Sequence, residues 1–257
     1  MTRRECGAAA LLLATLCAGL AACSRDEAAT AARPAAHIPA KGISYEVVTV
    51  QRPESVEEYH KLYRGTYETC ASIRKSQSMP PPAPMKQPPP DFVIQRETYI
   101  SDGTAYYSKR EDFAYVVDSS GDRPSCDTRE DKAVLTEVLR DGMMYHTSVD
   151  AEGKAMTEPP EEAPPPRRPS DAVYSEPKVV KGQAVKCMKL PPNTGKLLTE
   201  QCAADLKPGT LYYDGRPIVL AGRVTIVNQV ASNILTEPVR VKVGHQVDKR
   251  VFDTGKP

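Results

Sequence analysis

Hydrophobic and polar positions alternate most cleanly near the C-terminus, where Val239, Val241 and Val243 are interleaved with Arg240 and Lys242. A period of two is what a strand with one buried and one solvated face requires. Residues 217–230 read as a second, less regular strand, with Gly222 as a β-bulge. Upstream, two Asp-Gly pairs divide runs of strand-like composition. Asp102-Gly103 falls between 97–100 and 104–107, and Asp141-Gly142 between 134–139 and 143–146. Asp-Gly suits a type I′ turn, whose central residues both need positive φ and whose twist matches that of paired strands. Residues 150–153 read as a looser turn, and together these elements spell an antiparallel meander. Only residues 54–76 carry a helical signal, because Val56, Tyr59, Tyr63, Tyr67 and Cys70 recur every three or four positions. Tyr59, Tyr63 and Tyr67 also fit a period of two. The pattern therefore predicts a short helix to about Tyr63 and then a strand through Cys70 and Ile73.

Two proline-dense segments, 80–90 and 159–169, interrupt the strands. Proline lacks the ladder donor and favours extended polyproline geometry, so neither segment can be a central strand. Each holds a PxxP spacing, Pro81-Pro82-Ala83-Pro84 and Pro166-Arg167-Arg168-Pro169, that would suit a reader of polyproline. The plainer reading, a pair of solvated loops joining strands, is preferred. Tyrosine dominates the aromatic content, with 12 Tyr against 3 Phe and no Trp. The adjacent pairs Tyr106-Tyr107 and Tyr212-Tyr213 should each send one ring inward and one outward. An outward ring could grip glycan or peptide, or simply cover a half-exposed β-surface.

At the N-terminus, Arg3 and Arg4 precede an apolar run at 8–20. That run is too short to span a bilayer, which needs roughly 20 apolar residues. It leads directly into Leu20-Ala21-Ala22-Cys23, and these residues resemble the lipobox of bacterial lipoproteins. The resemblance implies cleavage before Cys23, acylation of its sulfur and of its freed amine, and membrane attachment by several acyl chains. It also implies that Ser24, where an Asp would retain the protein at the inner membrane, sends it to the periplasmic face of the outer membrane. The expected organisation is a signal peptide at 1–22, a lipidated cysteine and flexible tether at 23–41, and a single β-rich periplasmic domain at 42–257. An Ala-rich tether of this length reaches roughly 20–25 Å. Processing removes Arg3, Arg4 and Glu5 and leaves 32 basic and 32 acidic side chains. Without a basic excess there is no electrostatic footprint for nucleic acid.

Of seven cysteines, Cys6 and Cys17 leave with the signal and Cys23 carries lipid, so Cys70, Cys126, Cys187 and Cys202 remain. An even number in an exported domain implies two disulfides, because the periplasm is oxidising. Three connectivities are possible. The favoured one joins Cys187 to Cys202, since residues 191–195 can turn the chain back between them, and then Cys70 to Cys126.

Signatures of catalysis are absent from the sequence: there is no nucleophile elbow, no phosphate-cradling glycine loop, no His-Glu-x-x-His and no Cys-x-x-Cys. His37, His60, His146 and His245 are scattered. Glu57-Glu58, Glu111-Asp112, Glu130-Asp131 and Glu161-Glu162 are neighbours in sequence, which places each pair on opposite faces of a strand or about 100° apart on a helix. A glycosidase would instead need two carboxylates converging from separate elements. The expectation is a non-enzymatic protein with no cofactor and no metal.

The last third of the chain, from Tyr212-Tyr213-Asp214-Gly215 through 217–230 and 239–243 to Val251-Phe252, resembles the ending of lipoprotein-carrier half-barrels of the LolA/LolB type. The resemblance implies an incomplete antiparallel barrel whose concave face takes an acyl chain or another apolar ligand. The expected fold is thus mainly β, a curved antiparallel sheet (incomplete barrel or meander) with one short helix, two disulfides and two proline-rich loops. The expected role is ligand or partner binding at the envelope, with a hydrophobic ligand or an envelope protein as the partner. The alternative is a structural or interaction subunit of an envelope assembly.

Overall fold

The structure, a computed structural model, describes residues 42–163, 174–188, 198–205, 218–228 and 230–253. Its strands are β1 (Tyr45–Pro53), β2 (Gln95–Ser101), β3 (Tyr106–Val117), β4 (Thr128–Arg140), β5 (Met143–Val149), β6 (Ala155–Thr157), β7 (Glu161–Glu162), β8 (Tyr174–Val180), β9 (Gln183–Met188), β10 (Leu198–Ala204), β11 (Val219–Asn228) and β12 (Val230–Val243). Two helices, α1 (Val56–Tyr59) and α2 (Lys61–Ser76), lie between β1 and β2. The strands form one antiparallel sheet in the order β6-β5-β4-β3-β2-β1-β12-β11-β10-β9-β8, with β7 beside β5. Two meanders are therefore joined at their first and last strands, β1 against β12. The sheet is not closed into a barrel, in keeping with the open, curved β fold expected from the sequence.

Side-chain alternation and strand register together sort the first meander into rows. On one face Met144, Leu139, Tyr106, Ser101 and Tyr45 lie side by side across five strands. This row packs in one core with Val185, the Cys187–Cys202 pair, Ala204, Ile218 and Leu220 from the second meander, so the sheet curls and this face is concave. Tyr45, Val47 and Met144 have no exposed surface, and burying each stabilises by roughly 1.5–3 kcal/mol. The convex row Tyr145, Val138, Tyr107 and Ile100 is covered by the C-terminal 3-10 turn Lys249–Asp253, through Phe252 and Val251. The adjacent tyrosines do split as expected, with Tyr106 inward and Tyr107 outward, and the outward ring is capped by this turn. Tyr212 and Tyr213 lie outside the described residues.

The sequence pattern misled at four places, each for a physical reason. The strand expected through Cys70 and Ile73 is helix, because α2 continues to Ser76. A spacing of four fits both periods, but Tyr67 to Cys70 is a step of three, which keeps both on one helical face and would split them across a strand. That face packs throughout: the Tyr63 and Tyr67 hydroxyls donate to Lys86 O and Ala83 O, Cys70 bonds Cys126, and Arg74 donates to Pro80 O and Pro124 O. The proline segment at 80–90 is thus a strap whose carbonyls are taken up by α2. In the Asp102-Gly103 loop, Asp102 keeps negative φ and its carboxylate accepts from Thr104 N, Thr104 Oγ1 and Ala105 N, while only Gly103 is left-handed. A Cβ there would sit 2.0 Å from Gly42 O. Asp141-Gly142 does take positive φ at both residues. Gly222 is in register with Thr236 and is not itself bulged; the irregularities fall around it, between Leu198 and Glu200 and between Cys202 and Ala203. Finally, Val239 has no partner on β1, because the register shifts between Val48 and Thr49. It is 60% exposed while Val241 packs on the core.

Both expected disulfides are formed. Cys70–Cys126 closes 56 residues and ties α2 to the loop before β4, and Cys187–Cys202 closes 15 and joins directly opposed residues of β9 and β10. From loop-closure entropy, replacing Cys70 and Cys126 by Ala should cost roughly 4 kcal/mol and replacing Cys187 and Cys202 roughly 3 kcal/mol, measured by urea denaturation of the oxidised proteins. The bulge gives a second expectation from the same assay: Val239→Ser should change stability by less than about 0.5 kcal/mol, whereas Val47→Ser should cost at least about 2 kcal/mol.

Candidate functional site

Moving along the strands by two residues from the apolar concave row changes its chemistry. The next row reads His146, Glu137, Ser108, Tyr99 and Val47, and the one after it Ser148, Leu135, Arg110, Glu97 and Thr49. Ser108 Oγ donates to Glu137 Oε2 at 2.9 Å. Glu137 Oε1 lies 3.6 Å from His146 Nδ1, and Glu161 Oε1, on β7, lies 3.4 Å from His146 Nε2. The Tyr99 hydroxyl bonds to the Glu97 carboxylate two residues away. A fourth row continues the network: Gln51 donates to Gln95, Gln95 to Asp112, and Arg110 to the same Asp112 carboxylate.

Charge is distributed differently on the two faces. On the convex face Glu46 meets Arg240, Lys242 and His245, and Glu111 meets Lys109 and Lys132. The Arg240 guanidinium beside Glu46 holds its carboxyl below the usual range. On the concave face no lysine or arginine among the described residues forms an ion pair with Glu97, Glu137 or Glu161. Burial pushes the Glu97 carboxyl up, against the Tyr99 hydrogen bond and the charge of Arg110, and burial likewise pushes the Tyr99 phenol up. Thr49, directly across from Glu97, is 1% exposed, and its hydroxyl has no hydrogen-bond partner.

The remaining candidates fall elsewhere. Cys23 and His37 lie outside the described residues. His60 is buried among Tyr59, Tyr63, Phe92 and Tyr115, with Nδ1 bonded to Val56 O, and burial holds its pKa down. It is a packing residue. His245 sits with Ser44, Asp102, Thr104 and Lys249 in an open cleft where the chain enters β1. The carboxylates of that cleft are already occupied, Asp102 by its own loop and Asp248 by Arg250. Glu57 and Glu58 are exposed on α1, while Glu130 and Asp131 pair with Lys86 and Arg129. Cys187, Glu200 and Cys202 bring ligand-type atoms within 4.8 Å, but the two sulfurs are bonded to each other and offer no thiolate. Of the histidines and carboxylate pairs singled out from sequence, His146 and Glu161 meet at the concave rows, and Asp112 joins them in the fourth. Glu97, Glu137, Ser108, Tyr99 and Thr49 were missed, and the signal that finds them is strand register.

No protein-family model, no curated protein and no solved structure matches the chain.

Glu97 gives a pH expectation. A carboxyl whose folded pKa lies above its unfolded one favours the folded state at low pH, and that contribution is lost as pH rises through the folded value. Glu97→Gln removes a buried charge that is costly at pH 7. The variant should therefore melt higher than the parent at pH 7, with the gain shrinking to nothing toward about pH 4, where the carboxyl is protonated in both states. Thermal denaturation across that range checks it.

Proposed function

We propose that this is a lipid-anchored envelope protein that binds its ligand without chemistry, on the concave face of the sheet. The observation that carries the reading is the row His146, Glu137, Ser108 and Tyr99, which places four hydrogen-bonding side chains beside a fully packed apolar row of the same face. These groups bond one another, Ser108 to Glu137 and Tyr99 to Glu97, and a polar ligand seated on the row would extend that network with the bonding capacity the carboxylates and imidazole retain. The apolar row is filled by Tyr45, Tyr106, Leu139 and Met144 packing with the second meander. This supports a polar ligand rather than the acyl chain that the carrier resemblance implies. Binding is favoured over hydrolysis by the order of the groups. Glu137 stands between Ser108 and His146, so the imidazole is not placed to take the serine proton as a nucleophilic triad requires.

Anchoring at Cys23 and binding at the concave face are separately testable. Replacing Cys23 by Ser should release the protein from the membrane fraction into the soluble periplasmic extract. Native mass spectrometry of that variant, purified gently, should show a stoichiometric small polar adduct that denaturing extraction removes. An apo mass together with in-cell crosslinks to a single envelope protein would instead support the interaction-subunit role.

A further inference from the structure

Resting on the concave-face reading, we infer that the ligand is an organic cation carrying two or more separated ammonium groups. Glu97, Glu137 and Glu161 face the concave side and form no ion pair with a lysine or arginine among the described residues: Arg110, across from Glu97, bonds Asp112 instead, and Glu137 and Glu161 meet only the His146 ring, whereas Glu46 and Glu111 on the convex face each meet at least two cations. A charge held on a partly buried surface without its counterpart is destabilising, and a cationic ligand supplies what the fold leaves out. The second observation is independent of charge. Thr49 Oγ1, buried beside Glu97 on the same face, has no partner, and its lone pairs can accept from an ammonium N–H.

The spread of the carboxylates selects the kind of cation. Glu97 is on β2 and Glu137 on β4, with β3 between them, so their backbones are about 10 Å apart across the sheet and one row out of step. Glu137 and Glu161 lie on opposite edges of the His146 ring. A bare divalent ion draws its ligand oxygens to within about 2.0–2.6 Å of one centre, which these positions do not offer. An elongated amine puts one ammonium at Glu97 and Thr49 and another at Glu137. Tyr99, whose hydroxyl bonds Glu97 and whose ring feels the charge of Glu137, lies on the path between them and can add a cation–π contact.

The test is calorimetric titration of the mature full-length protein carrying Cys23→Ser. Spermidine and putrescine are the probes, magnesium and calcium chloride the metal arm, and N-acetylglucosamine the neutral arm. One saturable spermidine site is expected. Affinity should fall at least tenfold in Glu97→Gln and in Glu137→Gln, fall less in Thr49→Val, and stay unchanged in Glu130→Gln, where the carboxylate pairs with Lys86 on the other face. Melting curves establish that each variant is folded. Absence of spermidine binding, or binding that both Gln variants leave intact, overturns the inference, as does a site that takes only the metals. If a neutral or anionic molecule co-purifies and is lost in His146→Ala, the cation assignment fails while the concave-face reading stands. If no small molecule binds in any arm and crosslinks alone are found, that reading fails as well.

Discussion

The pairing of β1 with β12 is the constraint on which the rest of this molecule depends. The other pairings of the sheet join strands that are neighbours in sequence or close to it, with α1, α2 and the proline strap forming the one long connection within the first meander, between β1 and β2. β1 and β12 run antiparallel from Tyr45↔Val243 to Pro53↔Ile234 and bring together residues almost two hundred positions apart. Closing a loop of that length is costly in chain entropy, and such non-local contacts are won late. The seam is correspondingly well built: Tyr45 and Val47 are fully buried, Glu46 bonds Arg240 and meets Lys242, and Ser44 Oγ donates to His245 O. Without the seam there would be two separate meanders, and the apolar core that draws on both would not form.

The single irregularity in the seam shapes what lies on either side of it. At Val239 β12 has one residue more than β1, and beyond the bulge the partners of Thr49 and Gln51 are Pro238 and Thr236. A bulge raises local twist and bends the bulged strand. It falls where β1 passes from the packed side chains of Tyr45 and Val47 to the polar Thr49, so on this strand curvature and the change in chemistry coincide. Pro238 can sit in this central strand because it lies next to the bulge, where a ladder donor is not needed.

The parts of this structure legible in the sequence were those whose signals are local. Asp141-Gly142 declared a turn because only left-handed residues fit it, and the four cysteines of the body paired in the connectivity favoured from their spacing. The helix α2 was half legible, since tyrosines every four residues fit two periods and only the step of three to Cys70 decides between them. The candidate site was hardly legible. Glu97, Ser108, Glu137 and His146 are up to 49 residues apart and sit in runs that look like ordinary solvated strand faces. What unites them is which residue of one strand stands opposite which residue of the next. A one-residue slip of β3 would have sent Ser108 and Arg110 to the convex side and Lys109 and Glu111 to the concave one. Register is set by turn length and packing, neither of which a period-two pattern contains.

The polar rows also clarify what the disulfides and the strap do. Three carboxylates that form no ion pair with a lysine or arginine among the described residues subtract from stability where they are buried, and the chain keeps them beside an apolar core of modest size. Cys70–Cys126 and the proline strap brace the end of β3 and β4 away from these rows, and Cys187–Cys202 braces the meander on the far side of the core. Covalent and strap contacts therefore flank the site without entering it, which leaves the concave side chains free to be chosen for what they meet rather than for what they hold together. Stability supplied from outside a site is the condition under which a fold can carry strained or unsatisfied groups within it, and the separation of braces from carboxylates in this sheet meets that condition.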